Sequence, residues 1–411
     1  GYLFFSVGVA SAGFEARTPL TPKRKEAGFF AWLPQDKGPL KNLGTPWRDG
    51  KQFADFPQMN VMRALGPNWR ALGRAGVHDR LQQWGVNTLG AWGDKALQQD
   101  QRTPYTLIAS IWWSSNGHRA FPAPFRDNYE DDLRKNLQRH AWAKDDPYFI
   151  GLFLGNEFEW PDRFTPTAFE FEPGHSTKRW VIDKLKEKYA SLNALNKAWG
   201  TSHDAWPKVL LKGAGAIPKQ AFADIDPLYV DFARAFFTKS RKIINEVLPN
   251  KLYLGCRSHR GPSHLGRAAV GVLDAYSVNV YDWQARAWQV PNDADIPILV
   301  GEFHFGAPDR GVPSPGLSAV WNQRQRGFAF SHYLASALAD PRYVGVHWFR
   351  WVDQSAAGRF DRENHQCGFV DVTGRGYPEF TQAVQRATHA MYPARASGKP
   401  MLPVLEKLLT R

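Results

Sequence analysis

Gly151-Leu152-Phe153-Leu154-Gly155-Asn156-Glu157 is an apolar run that ends in an amide and a carboxylate. Its length and bounding glycines suit a strand buried on both faces, the kind a parallel sheet uses. Working outward, similar runs recur along the 411 residues, bounded by Gly, Pro or Asn. They are Leu3–Val9, Val86–Ala91, Leu107–Ile111, Ile150–Leu154, Leu252–Cys256, Ala275–Val280, Ile298–Val300 and Val344–Trp348. Helical periodicity lies between them. Asp131–Trp142 places Leu133 and Leu137 four apart, and Leu228–Leu248 puts Phe232, Phe236, Ile243 and Val247 on one face. Eight strands separated by helices predict an α/β fold of the (β/α)₈ (TIM) barrel type, essentially a single domain. We take the barrel to span residues 1–390, with 391–411 as a C-terminal extension packed on it.

The connections are asymmetric. Segments leading into strands are short, such as Asp145-Asp146-Pro147-Tyr148, Pro249-Asn250-Lys251 and Asp340-Pro341-Arg342. Segments leaving strands are long: the proline-rich stretch after the first, Trp112-Trp113 through Phe125 after the third, and Phe349 through Phe369 after the eighth. In this fold the loops leaving the strands build the active face, so a deep, aromatic-walled cleft is expected there.

Composition removes several alternatives. With 43% hydrophobic and 22% charged residues the chain can bury a large core, and no segment is apolar for long enough to span a bilayer. The two cysteines, Cys256 and Cys367, form no disulfide framework or metal spacing, so neither a metal nor a cofactor is expected. Residues 3–12 resemble the apolar core of a signal peptide, but without a preceding basic segment they read as the first buried strand. The 52 Lys and Arg against 39 Asp and Glu give 52 − 39 = +13. Nucleic acid rests on that charge alone, without a recognition motif, and is not expected as a partner.

A second run, Ile298-Leu299-Val300-Gly301-Glu302-Phe303-His304, also ends in a carboxylate. Glu157 and Glu302 terminate the fourth and seventh strands, on opposite sides of a barrel axis, so their side chains are placed to converge. Facing carboxylates are what glycosidic bond cleavage requires: one donates a proton to the leaving oxygen and the other attacks the anomeric carbon. Taken singly, each Glu has an ordinary reading as a satisfied carboxylate at a strand end; the pairing favours the catalytic one. Asn156 is placed to bond a sugar 2-hydroxyl, and His304, two residues past Glu302, returns to the same strand face. As a core histidine it would bond backbone; as a neighbour of the cleft it would contact ligand, which is the expectation taken here.

These segments resemble a known family. Asn156-Glu157, Glu302 and Trp348 look like the clan of retaining (β/α)₈ glycosidases. More specifically, Gly301 through Gly311, and His347-Trp348-Phe349-Arg350-Trp351-Val352-Asp353-Gln354 continuing through Gly358-Arg359-Phe360-Asp361 and Asn364 to Gly368-Phe369-Val370-Asp371, are similar to glycoside hydrolase family 50, the β-agarases. The likeness runs from the first strand to about Tyr377. It implies Glu157 as general acid/base, Glu302 as nucleophile, and cleavage of β-1,4-galactosidic bonds in agarose or its oligosaccharides, exo-acting with release of neoagarobiose. A polymeric substrate in turn implies a secreted or periplasmic enzyme. Family members often carry a β-rich region ahead of the barrel, whereas this sequence opens at strand one.

Charge is the second departure, because agarose is essentially neutral. A sulfated galactan such as carrageenan or porphyran would reward loop cations, among them Lys23, Arg24, Lys25, Arg48, Arg119, Arg126, Arg163, Arg257, Arg260, Arg267, Arg310, Arg359 and Arg362. Most read as solvated surface or as partners of Asp309 and Asp361; Arg257, directly after strand five, reads as a ligand contact. Trp92, Trp112, Trp113, Tyr281, Trp283 and Trp348 are candidate sugar platforms at strand ends, and Tyr281 is placed to bond Glu302. Glu159 and Glu172 compete for the acid role from less rigid positions. A short-galactoside β-galactosidase and a non-catalytic polysaccharide-binding barrel are the remaining alternatives.

Overall fold

Eight strands carry the sheet in the computed structural model, which describes residues 4–33, 52–109, 122–158, 160–164, 173–211, 217–259, 262–286, 290–359, 361–398 and 401. They are β1 Ser6–Val9, β2 Thr88–Leu89, β3 Tyr105–Ala109, β4 Phe149–Leu154, β5 Leu252–Tyr253, β6 Tyr276–Asn279, β7 Ile298–Phe303 and β8 Tyr343–Trp348. Each falls on one of the eight runs read from the sequence. The order in the sheet is β5-β4-β3-β2-β1-β8-β7-β6. Pairing is parallel wherever its register is defined, as in Gly8 against His347 and Thr88. A further parallel bridge, Ser258 to Val278, joins the chain just past β5 to β6, so the two ends of that order meet. This is the predicted (β/α)₈ barrel. An antiparallel ribbon of Arg17–Pro19 and Phe53–Asp55 lies in the long connection after β1.

By its internal contacts the chain divides into two compact units: residues 1–107, 279–286 and 299–411, and residues 108–278 with 287–298. In the first, the helices Gln323–Leu338 and Pro378–Ser397 pack together. A Cβ at Gly327 would lie 2.5 Å from that of Ala383, so only glycine allows this close crossing. Asn322 caps the first of these helices, its side chain accepting from the Gln325 N–H at 2.9 Å. The second helix runs through residue 390 without a break; residues 399, 400 and 402–411 lie outside the described residues.

The second unit is built on the helix Phe222–Val247, whose Phe232, Phe236, Ile243 and Val247 are buried as the periodicity predicts. It begins six residues earlier than expected, because Pro227 removes only one hydrogen bond near the helix start. The expected helix Asp131–Trp142 is α-helical over Tyr129–Leu137 and tightens to a 3₁₀ turn over Gln138–Ala143. Among the described residues no helix is long and apolar enough to cross a membrane.

Candidate active site

Four non-glycine residues in the loops just past β1, β2, β4 and β5 have positive φ: Ser11 at 51°, Trp92 at 58°, Glu157 at 51° and Arg257 at 53°. Such conformations cost of order 1–3 kcal/mol each and concentrate where geometry is set by function. They mark the face at the C-terminal ends of the strands.

In the first unit that face is organised around Glu302. Strand alternation turns Glu302 and His304 one way and Phe303 the other. Phe303 stacks on Tyr333 at 4.0 Å between ring centres and meets Trp348 edge-on at 5.2 Å. The backbone on either side of Glu302 is fixed by neighbouring strands, since the Val280 N–H donates to the Glu302 carbonyl and the Phe349 N–H to that of Phe303, both at 2.9 Å. The Tyr281 hydroxyl donates to Oε2 of Glu302 at 2.5 Å. The carboxylate is 5% exposed, so it is held rather than solvated.

His304 departs from the sequence expectation. It is 1% exposed, and its Nε2 accepts from the Leu317 N–H at 3.0 Å. Gly316, at φ +76°, lets that loop come down on the ring; a Cβ there would lie 2.4 Å from Nε2. Burial pushes the imidazole down to about 3, so it is neutral. Packed between Tyr281 and Phe349, it buttresses the site from within the protein.

Trp348 is the second correction. It is fully buried, packed against Phe330, Phe369 and Phe380, with its indole N–H donating to the Cys367 carbonyl at 2.7 Å. Alternation along β8 turns it outward onto the helices, and the next residue, Phe349, takes the position facing Trp92 at 6.4 Å. Trp92 remains a platform candidate at 41% exposure, as does Trp283 at 40%. Trp112, Trp113, Glu159 and Glu172 lie outside the described residues.

A buried polar network holds the long loop after β8, and the sequence did not reveal it. Arg326, fully buried, donates to the Phe305 carbonyl at 2.7 Å and to that of Gly368 at 2.8 Å. Asp353 accepts from the Gly368 N–H at 2.6 Å and from the Tyr377 hydroxyl. Burial pushes its carboxyl up to about 6, against the pull of Arg326.

In the second unit, β4 is followed by Gly155 at φ +80°, where a Cβ would lie 2.1 Å from the Phe158 ring. The turn delivers Asn156 and Glu157, both half-buried. Arg257, fully buried over the Phe153 ring, donates from Nε to Oδ1 of Asn156 at 2.8 Å. Its own N–H bonds the Ser277 hydroxyl at 2.9 Å. Arg257 therefore orients the Asn156 amide, whereas the sequence suggested a direct ligand contact.

Several other loop cations are engaged in the first unit. Arg310 pairs with Glu379, Arg359 with Asp361 and Glu363, and Arg24 donates to the carbonyls of Pro19 and Gly358. In the second, Arg126 pairs with Asp132 and Arg267 with Asp293. Arg48, Arg119 and Arg260 lie outside the described residues. Among the described residues no cluster of His, Cys, Asp or Glu is arranged to hold a metal. Both cysteines are free and buried, their thiols pushed up to about 11 and about 12 by burial.

A (β/α)₈ barrel with a strand-end carboxylate after β4 and another on β7 has the framework of a glycosidase. The resemblance to the family 50 β-agarases is upheld over nearly the whole chain. It is 26% identical to β-agarase B and 27% identical to β-agarase A of Vibrio sp. (strain JT0107), across 96% and 95% of its length. Those alignments cover 47% and 44% of the relatives, so the chain spans about half the length of the curated proteins it matches. Among solved structures, an exo-β-agarase superposes with a TM-score of 0.87 at 26% identity, and the agarase AgWH50C with 0.85 at 28%. Each match covers 96% of this chain and 63% of the other. No family model matches the sequence.

Proposed function

We propose that this chain is the catalytic barrel of a retaining glycoside hydrolase that cleaves β-1,4-galactosidic bonds in agarose or agaro-oligosaccharides, acting from the chain end to release neoagarobiose. The observation that carries this is Glu302, nearly enclosed at the end of β7 with one carboxylate oxygen fixed by the Tyr281 hydroxyl. A nucleophile must be aimed to within a fraction of an ångström, and strand, neighbours and phenol supply that aim. Similarity to proteins named β-agarase supports the choice of substrate, and likeness to an exo-β-agarase supports attack from the end.

In the first step Glu302 attacks the anomeric carbon while Glu157 gives its proton to the departing glycosidic oxygen, leaving a glycosyl ester on Glu302. In the second, Glu157 takes a proton from water, which attacks the same carbon and frees Glu302. Retention calls for about 5 to 5.5 Å between the carboxyl groups. Asn156, with Oδ1 bound to Arg257, turns its amide nitrogen the other way, as a donor for the sugar 2-hydroxyl. A polymer outside the cell as substrate favours a secreted or periplasmic enzyme.

The reading is tested by incubating the protein with agarose, porphyran, carrageenans and aryl β-galactosides and analysing the products. Neoagarobiose from agarose supports it. Cleavage of sulfated galactans alone moves the substrate, and no cleavage of any galactan, with binding retained, leaves a binding barrel. Glu302→Gln should abolish turnover, whereas Glu157→Gln should spare substrates whose leaving groups need little protonation.

A further inference from the structure

Arg350 stands directly after β8, next to Phe349, and is 7% exposed. Its guanidinium has five N–H donors, yet its side chain makes one hydrogen bond, from Nη2 to the Glu15 carbonyl at 2.7 Å. The Nε–H is buried without an acceptor. Among the described residues no carboxylate lies within ion-pair distance of it. The neighbouring charges are more distant: Asp55 and Asp353 favour the cation, Arg359 opposes it, and burial disfavours it most.

A buried guanidinium without a counter-charge is expensive. Buried charges are ordinarily paired, and one left unpaired is strongly destabilising. Arg326, enclosed in the same unit, donates from its guanidinium to the Phe305 and Gly368 carbonyls and the Gln323 side-chain oxygen. Arg350 has the single Glu15 carbonyl, and it sits between the loops leaving β1 and β8, on the face where the strands end. Phe349 beside it presents a ring toward Trp92. A polar donor next to an aromatic wall is the composition of a saccharide site.

We propose that Arg350 is a substrate-binding residue, donating charge-assisted hydrogen bonds to acceptor oxygens of the galactan on the β1–β8 side of the site. This rests on the galactanase reading. The acceptor is either a hydroxyl or ether oxygen of a neutral galactan or the oxygen of a sulfate ester; both present the lone pairs that the guanidinium lacks.

The test uses the Glu302→Gln protein, which holds oligosaccharide without turning it over, and measures binding of neoagaro-oligosaccharides and of porphyran oligosaccharides by calorimetry. Arg350→Met in that background keeps the volume and removes the donors. Binding should weaken about tenfold or more, while the unliganded protein's melting temperature stays level or rises because an unpaired buried charge has been removed. Arg350→Lys should recover part of the affinity. A loss confined to the porphyran series assigns the acceptor to sulfate, and a loss in the neutral series assigns it to the sugar. Unchanged affinity in both series, or a lowered melting temperature matched by the same loss in Arg350→Lys, overturns the proposal in favour of a purely structural arginine. If the Glu302→Gln parent binds no galactan at all, the galactanase reading fails and this assignment fails with it.

Discussion

The Tyr281 hydroxyl donates to Oε2 of Glu302 at 2.5 Å, joining the loop after β6 to the end of β7. Tyr281 is itself packed edge-on against the neutral ring of His304, so the phenol, the carboxylate and the imidazole form one buttressed unit. The contact fixes the rotamer of Glu302 and donates to one oxygen.

Replacing Tyr281 with Phe keeps the ring packing and removes only the hydroxyl. A hydrogen bond to a charged group contributes about 1.5–3 kcal/mol, so kcat on an agaro-oligosaccharide should fall by roughly ten- to a hundredfold, with the melting temperature moved little. Steady-state kinetics beside a thermal melt separate the two effects, and an unchanged kcat would detach Tyr281 from the nucleophile.

Trp348 and Trp92 should respond in opposite ways. Trp348 is enclosed among Phe303, Phe330, Phe369 and Phe380; its replacement by Ala should cost about 3–5 kcal/mol of stability. Trp92, far more exposed, should cost little stability as Ala but raise KM. Denaturant unfolding and KM measured on both variants check this, and a Trp348→Ala protein of normal stability with a raised KM would reverse the assignment.

Asp55 carries a pH signature. Burial pushes its carboxyl from 3.8 up to about 6. The folded state therefore holds the proton more tightly than the unfolded chain. The resulting stability is fully present below about pH 4 and is lost as pH rises through about 6. An increase of that size corresponds to about 3 kcal/mol. Asp55→Asn should accordingly gain stability relative to the parent between pH 4 and pH 7, measured as the difference in unfolding free energy. A difference that is flat across that range would contradict the cause given.

The sequence carried the strand frame because parallel strands buried on both faces are continuous apolar runs, and both carboxylates followed from their places at the ends of two of them. The same continuity hid which side chains turn inward. His347, Trp348 and Phe349 are all large and all enclosed, so no two-residue alternation distinguishes the outward Trp348 from the inward Phe349. Arg257 and His304 look like ligand contacts from their places at strand ends, but what each one touches is decided by residues on other loops, Asn156 in one case and Leu317 in the other. Asp353, Arg326 and Tyr377 belong to a network assembled wholly by tertiary contacts, with no local signal to announce it.

The central claim is a double displacement through Glu302, and the configuration of the first product tests it most directly. Proton NMR of a neoagaro-oligosaccharide digest, recorded before mutarotation equilibrates the new reducing end, should show the β-galactose anomer appearing first. An α-anomer appearing first would mean direct displacement by water, and Glu302 would then be a base and not a nucleophile.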